Sequence, residues 1–292
     1  EYLYAVNIET GNITFLCSVV VKGSVDDGYN VKASGNIEIN GSVGKCRIEA
    51  DGDVTIRQGV FGKDECYIRA GKSLWAKFIQ SSHVEVENNI IVNDSIMNSE
   101  VTAMKNIVLR GKKAQIIGGH LFATEEICAK NIGSPGGGTE TVLNVGIDPR
   151  AKKQLEELQE AQAELIKELE NLDLDIATLE QQAKIRRNLA QEKKDNLIKL
   201  KKRHDEITEQ TSEYTKQIGK IQEHLRELKA VGKVKCEGNV YSGVKVYVRD
   251  VLDEVKVDTK SVTFYYDRSF IKRGEYEPPS LSQEELNGYS AN

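Results

Sequence analysis

Residues 31–57 read VKASGNIEINGSVGKCRIEADGDVTIR, and this stretch contains the repeat that decides the fold. A small residue, any residue, glycine, a polar residue and an aliphatic residue follow one another from Ala33 to Ile37, and again from Ala50 to Val54. The same phrase returns much later, from Cys236 to Val240. Because self-similarity at a fixed short period is typical of repeat architectures, we aligned the chain on the last residue of this phrase.

The alignment produces four apolar columns. The anchor residues are Val19, Ile37, Val54, Leu74, Ile90, Ile107, Ile127 and Val240. Six positions before each anchor stand Ile13, Val31, Ile48, Ile68, Val84, Val101, Leu121 and Val234. Four positions before stand Phe15, Ala33, Ala50, Ala70, Val86, Ala103, Ala123 and Cys236. The column two positions after the anchors is apolar until its last member, Ser242, which is the one polar exception in all four.

These offsets share one parity, which is the alternation of a β-strand with every second residue pointing inward. The period, about 16 to 20 residues, is too short for a β-α crossover unit and suits one coil of a parallel β-helix. The sequence therefore predicts a mainly β fold: a right-handed parallel β-helix of about eight coils, with an α-helical insertion. The alanines at offset −4 predict a structural ladder where the walls approach closely: Ala33, Ala50, Ala70, Ala103 and Ala123.

The cysteines do not indicate a disulfide framework or a zinc site. The chain has five cysteines, and no two of them form a C-x-x-C motif. Cys46 and Cys66 share a column of small residues eight positions before the anchors, which allows either a redox pair or a small-residue ladder at a turn. The ladder is favoured, because no third group is placed to activate either thiol.

After Asp148 and Pro149 the repeat gives way to heptads. One apolar stripe consists of Leu155, Leu158, Leu165, Leu169, Leu172, Ile176, Leu179 and Ala183, and a second of Leu197, Leu200, Ile207, Tyr214, Ile218, Ile221, Leu225 and Leu228. Since the β-repeat returns at Val234, the chain must come back to the β-helix, and an antiparallel coiled-coil hairpin is predicted rather than one long helix. Its apex is expected between Arg187 and Asp195.

The predicted domains are thus a β-helix over residues 1–148, a hairpin over 149–231, the final coil over 232–264, and a capping or disordered tail over 265–292. The aromatic start of this tail is suited to covering the open end of a solenoid, and its last dozen residues are expected to be disordered. The chain starts at Glu1 rather than Met, and we expect it to be a fragment.

Charge and hydropathy exclude several classes of function. The net charge is −5, without a basic stripe on a recognisable reading element, so nucleic acid is not expected as a partner. The sequence shows neither a secretory signal nor an apolar run of about 20 residues that could insert into a membrane, which predicts a cytoplasmic protein.

Candidate chemistry in the sequence is weak. Carboxylates at residues 26–27, 51, 53 and 64–65 could suggest a polysaccharide-cleaving β-helix enzyme, but they fall in turns rather than in one column. His83 and His120 have outward parity, and His204 lies on the hairpin seam. The sequence therefore predicts a protein that is not an enzyme and has no catalytic residues, metal or cofactor.

Several segments resemble the flagellar assembly protein A (FapA) family. The resemblance is carried by residues 31–43, 117–120 and 129–134, and by the coiled coil followed by residues 240–246. It implies a cytoplasmic bacterial protein of flagellar assembly or cell-pole organisation, whose partners are flagellar, polar or signalling proteins, and which has a further N-terminal domain. The β-helix is also similar to that of bactofilins, which polymerise end to end.

Two functions from different classes stay open: a scaffold or spatial regulator that binds protein partners, and a bactofilin-like homo-oligomer that self-assembles. A hairpin inserted near the end of the rod would obstruct stacking, which favours the scaffold. The candidate interaction residues form a basic tip in an acidic protein, suited to an acidic partner: Arg186, Arg187, Lys193 and Lys194.

Overall fold

The computed structural model of the chain describes residues 2–185, 191–227 and 232–287. The chain divides into two compact units, one combining Glu1–Pro149 with Lys229–Asn292, the other consisting of Arg150–Leu228. The first unit is a parallel β-solenoid and the second is a pair of long helices. The predicted fold class, a mainly β solenoid with a helical insertion before its final strands, is confirmed.

The described strands, in chain order, are β1 (Tyr2–Leu3), β2 (Ile13–Phe15), β3 (Val19–Val21), β4 (Asn30–Ala33), β5 (Ile37–Ile39), β6 (Ser42–Val43), β7 (Arg47–Ala50), β8 (Val54–Ile56), β9 (Gly59–Ala70), β10 (Leu74–Val86), β11 (Ile90–Ala103), β12 (Asn106–Leu109), β13 (Gln115–Ala123), β14 (Glu126–Ala129), β15 (Asn131–Ile132), β16 (Thr141–Val145), β17 (Lys233–Val240), β18 (Lys245–Val248), β19 (Val251–Glu254), β20 (Thr259–Asp267) and β21 (Phe270–Glu275). The helices are α1 (Pro149–Ile185), α2 (Gln191–Glu227) and α3 (Gln283–Asn287).

Two faces of the solenoid follow the columns read from the sequence. On face A, in-register parallel pairs join Ile13, Val31, Ile48, Ile68, Val84, Val101 and Leu121, and alongside them Phe15, Ala33, Ala50, Ala70, Val86, Ala103 and Ala123. On face B the anchors Val19, Ile37, Val54, Leu74, Ile90, Ile107 and Ile127 pair in the same way. Apart from Ile13 and Phe15 in the first turn, all these side chains are buried.

A third buried column closes each turn, and the sequence analysis did not identify it. Parallel pairs and bridges stack Val6, Val25, Val43, Val60, Ile79, Ile96, Ile116, Ile132 and Val240. Each of them is at most 1% exposed. This column, face C, makes the solenoid three-sided.

The register of the segment after the helices differs from the prediction. Val234 pairs with the anchor Ile127, and Val240 pairs with Ile132 on face C. Val234 is therefore the eighth anchor, and Val240 is not one. In this turn the helical insertion separates the anchor from the residues of face A. The two face A columns, at offsets −6 and −4 in the other turns, are filled here by Leu143 and Val145, which pair with Leu121 and Ala123. With this shift Cys236, not Ser242, occupies the column after the anchor.

The helical insertion interrupts one corner of the solenoid. In the preceding turn this corner is formed by Thr124 and Glu125, whose carbonyl oxygens accept the N–H groups of Gly146 and Lys233, at 3.0 and 2.9 Å. The two ends of the insertion therefore stack on adjacent residues. Gly146 has a φ of +81°, and a Cβ on Gly232 would lie 2.2 Å from the Gly146 nitrogen, so both glycines are needed for this close passage.

The C-terminal end of the stack changes to antiparallel pairing. Strand β19 pairs antiparallel with β18, and β20 pairs antiparallel with β17 and with β21. Phe264 on β20 lies opposite Val234 and is fully buried. Two hydrogen bonds of 2.8 and 2.7 Å from Arg273 on β21 to Asp253 on β19 tie the two outermost strands together.

The tail is more ordered than the sequence suggested. Residues 276–287, which we call the tail strap, fold back on the outside of face B and end in α3. Their order has a local cause: Ser282 and Glu285 form a capping box, with the Ser282 N–H 2.9 Å from Glu285 Oε2 and the Glu285 N–H 3.3 Å from Ser282 Oγ. The expectation of disorder therefore fails for residues 281–287, while 288–292 lie outside the described residues.

Candidate interaction surfaces

The second unit is an antiparallel helical hairpin. Side-chain contacts between the helices show that they run in opposite directions, because the residue number falls along α2 as it rises along α1. These contacts join Gln162 with Thr215, Asp173 with His204, and Gln182 with Lys193, at 2.8, 3.3 and 2.9 Å. The seam residues predicted on both stripes are buried or half-buried wherever their burial is described. Leu172, Ile207 and Ile218 are the most buried among them. Each helix has 37 residues, so at 1.5 Å per residue each is about 55 Å long.

The candidate basic tip is described only in part. Lys193 and Lys194 are exposed and lie near the start of α2 rather than in a turn. The ammonium group of Lys193 donates a hydrogen bond to Gln182 Oε1 of α1 at 2.9 Å. Arg186 and Arg187 lie outside the described residues. Two positive charges are thus placed at the α2 end of the tip.

The hairpin also carries apolar side chains that its own seam does not use. Leu174 on α1 is 68% exposed and Ile198 on α2 is 66% exposed. Antiparallel pairing places them within about two helical turns of each other along the hairpin, because Asp173 contacts His204 and Gln182 contacts Lys193. This pair was not singled out in the sequence, although both residues fall outside the heptad stripes.

A second polar surface lies on the outside of face A. The rings of Tyr67 and His83 stack with centroids 5.4 Å apart. His83 Nε2 lies 2.9 Å from Glu85 Oε1, and His83 Nδ1 lies 3.0 Å from Glu100 Oε2. The Tyr67 hydroxyl donates to Glu85 Oε2 at 2.9 Å. Burial, reinforced by this carboxylate, raises the pKa of Tyr67.

Three of the turn carboxylates considered for a polysaccharide-cleaving site bind neighbouring residues of the solenoid turns. Asp27 Oδ1 accepts the N–H of Lys45 at 2.8 Å, and this hydrogen bond lowers the pKa of the carboxyl. Asp53 Oδ1 accepts the N–H of Ser73 at 3.0 Å, and Glu65 pairs with the Lys45 ammonium at 2.5 Å. Within residues 2–185, 191–227 and 232–287, no group of three His, Cys, Asp or Glu side chains is placed to hold a metal ion.

The thiols on neighbouring turns form a buried ladder. The Tyr67 N–H donates to the Cys46 carbonyl at 3.0 Å, which sets Cys46 beside Cys66, and both side chains are buried. The hydrogen bond with Cys66 raises the pKa of Cys46, and burial raises it further. Burial also raises the pKa of Cys236, to about 12. Cys17 is exposed.

The tail strap covers a third surface, on the outside of face B. Here Lys235 donates from Nζ to Glu126 Oε2 at 2.5 Å and to the carbonyl oxygen of Pro278 in the strap at 3.0 Å. The Ser280 N–H of the strap donates to Glu126 Oε1 at 2.9 Å. Both charged side chains are 5% exposed. This ion pair cannot be predicted from a local sequence pattern, because its partners are 109 residues apart.

Together the fold and these surfaces define a parallel β-solenoid protein that carries a paired-helix insertion. The sequence profile described as the Flagellar Assembly Protein A beta solenoid domain matches residues 3–271. The chain belongs to this family, which assigns it to flagellar assembly at the level of the family.

The other comparisons add no relative. The chain matched no curated protein and no solved structure. No helix in the described part of the chain is long and apolar enough to cross a membrane.

Proposed function

We propose that the chain is a non-enzymatic scaffold in flagellar assembly that acts in the cytoplasm at the cell pole and binds protein partners through its helical hairpin. The solenoid serves as the rigid support. The hairpin, a two-stranded coiled coil, is the main binding surface. Its partner is an acidic protein of the flagellar, polar or signalling machinery.

The observation that carries the proposal is the position of the insertion. The corner strands on either side of it, β16 and β17, keep the same register with the preceding turn as uninterrupted strands do. A solenoid stabilises itself through contacts between neighbouring turns. An insertion of two 37-residue helices that leaves those contacts unchanged therefore has a use other than the stability of the solenoid.

Two features of the hairpin fit a protein partner. Lys193 and Lys194 are exposed near the tip, and positive charge in a protein of net charge −5 would steer an acidic partner toward that end. Leu174 and Ile198 supply apolar surface on the flank, of the kind that dominates binding energy once it is desolvated.

End-to-end polymerisation is less well supported. The C-terminal edges of the stack are β19 and β21, which pair antiparallel with their neighbours and so do not continue the parallel turns of the solenoid. Both edges carry charged residues, including Asp253, Glu254, Lys272 and Arg273, which discourage strand addition.

The proposal is tested by charge reversal at the basic tip. The variant combines Arg186→Glu, Arg187→Glu, Lys193→Glu and Lys194→Glu. Recovery of partners by affinity capture from the native bacterium should be lost in this variant, while its melting temperature stays unchanged. Capture from wild-type cells should also weaken as salt rises, because the attraction is screened.

A matched control reverses four exposed lysines of the solenoid, Lys72, Lys77, Lys112 and Lys113. It changes the net charge by the same amount and should leave partner recovery intact. Equal recovery with both variants would refute the role of the tip.

A further inference from the structure

The strap covers an apolar strip on the outside of face B. Trp75, Ile91, Val108 and Cys128 follow the anchors by one residue, and they stack in register on consecutive turns. Residues of this parity point away from the solenoid core. Ile91, Val108 and Cys128 are nevertheless at most 2% exposed, because they form a separate apolar cluster with Leu281 and Leu286 of the strap.

The strap is built to fit this strip. Ser282 caps α3, and Leu281 and Leu286 stand immediately before the cap and four residues after it, the spacing of a hydrophobic staple. Both leucines of the staple pack on the strip. Ahead of them, Lys235 and Glu126 hold the strap backbone at Pro278 and Ser280. The contacts thus consist of two apolar anchors and two backbone hydrogen bonds.

The fit is incomplete at one end of the strip. The indole Nε1 of Trp75 is buried without a hydrogen-bond partner among the described residues. A buried donor without an acceptor is unfavourable, so a segment that supplied a carbonyl oxygen at this point would bind better than the strap does. Ser282 to Glu285 are exposed, and the strap contributes few side chains to the strip.

We propose that the apolar strip is a docking groove for a segment of another protein that ends in a helical turn, and that the strap occupies this groove in cis. The ligand has the chemistry of the strap: a backbone carbonyl for Lys235, a backbone N–H for Glu126 and two leucines on a capped helical turn. It adds an acceptor for Trp75.

A second copy of the chain is a poorer occupant. The strap follows β21 directly and is tethered there by the Lys233–Glu277 ion pair and by the Glu277 N–H, which donates to Thr263 Oγ1 at 3.0 Å. Its effective concentration is on the order of millimolar, so an identical strap from another chain gains nothing by replacing it. Only a better-fitting segment would.

The test uses two reporters that the strip already contains. Trp75 is the single tryptophan of the chain, so its emission reports the strip alone. Cys128 is buried beneath the strap, and burial raises the pKa of its thiol. In the full chain carrying Leu281→Ser and Leu286→Ser, tryptophan emission should shift to longer wavelength and Cys128 should react with a maleimide. Leu16→Ser, at an 85% exposed site, is the control that should change neither.

Docking is then measured with a fluorescein-labelled peptide of residues 276–287. It should bind the double variant at least about tenfold more tightly than the wild type, because in the wild type the tethered strap competes. The same peptide with both leucines replaced by serine should not bind. Ser280→Pro removes the N–H donated to Glu126 and keeps both leucines, so it provides a second released form.

The outcomes decide the proposal. Released reporters without peptide binding in either variant would mean that the strip is covered but is not a docking groove. Unchanged reporters would mean that the strap does not hold the strip closed. Dimers formed by strap exchange would replace the external partner with a second copy, and would contradict the proposal as stated.

Discussion

Replacing Ala103 by leucine is expected to lower the free energy of unfolding by about 1 to 3 kcal/mol or more. Ala103 is fully buried on face A, between Val86 on one turn and Ala123 on the next. A leucine adds three carbons at a position where turns are fixed about 4.8 Å apart, so neither neighbour can withdraw. Denaturant unfolding followed by far-ultraviolet circular dichroism measures the loss.

The matched control is Lys32→Leu. Lys32 has outward parity on the same face, its side chain is 64% exposed, and its ion pair with Glu49 spans 3.3 Å. Loss of an exposed pair costs at most about 1 kcal/mol. Equal unfolding midpoints for Ala103→Leu and Lys32→Leu would show that the alanine column is not a close-packed ladder.

A still larger loss, about 3 to 5 kcal/mol, is expected for Lys235→Met. Lys235 and Glu126 are both almost fully buried beneath the strap, and removal of the ammonium leaves the buried carboxylate without the charge that it pairs with. Detachment of the strap would rehydrate Glu126 and limit the loss. Thermal unfolding and Trp75 emission should therefore change together.

The double variant Glu126→Gln with Lys235→Met should recover most of the loss, because no buried charge is left uncompensated. Lys233→Met is the control. The side chains of Lys233 and its partner Glu277 are 31% and 49% exposed, so this ion pair should contribute about 1 kcal/mol or less to the free energy of unfolding. A double variant as unstable as Lys235→Met alone would contradict this account of the pair.

Faces A and B could be predicted from sequence because their residues keep fixed offsets within each turn. Face C could not, because its distance from the anchor varies: Val60 follows Val54 by six residues, Ile79 follows Leu74 by five, and loop residues separate Ile107 from Ile116 by nine. Columns of this kind become visible only when backbone pairing is known.

The misplaced last turn has a local reason. Gly238 lies at the corner between faces B and C, whereas Gly35 lies at the corner between faces A and B. Both corners have a glycine between inward-pointing apolar residues. The repeated five-residue pattern is therefore the same at the two corners and does not show which corner a given copy forms. Ser242 was the sign of the error, since it put a polar residue in an otherwise apolar column.

The strap could have been recognised in part from local sequence spacing. Ser282 and Glu285 have the spacing of a capping box, and Leu281 and Leu286 have that of a staple. The outward apolar residues Ile91 and Val108 indicated a covered surface. What covers them depends on a return of the chain over more than 150 residues, which no local pattern encodes.

The central claim is that the solenoid is complete without the hairpin and that the hairpin carries the function. The measurement that tests it most directly replaces residues 152–229 with a short Gly/Ser linker and follows both folding and flagellation. The account predicts loss of the helical circular dichroism signal, retention of the strand signal and of cooperative melting, and loss of flagella when this variant replaces the chromosomal gene. An insoluble variant, or a folded one that supports normal flagellation, would contradict it.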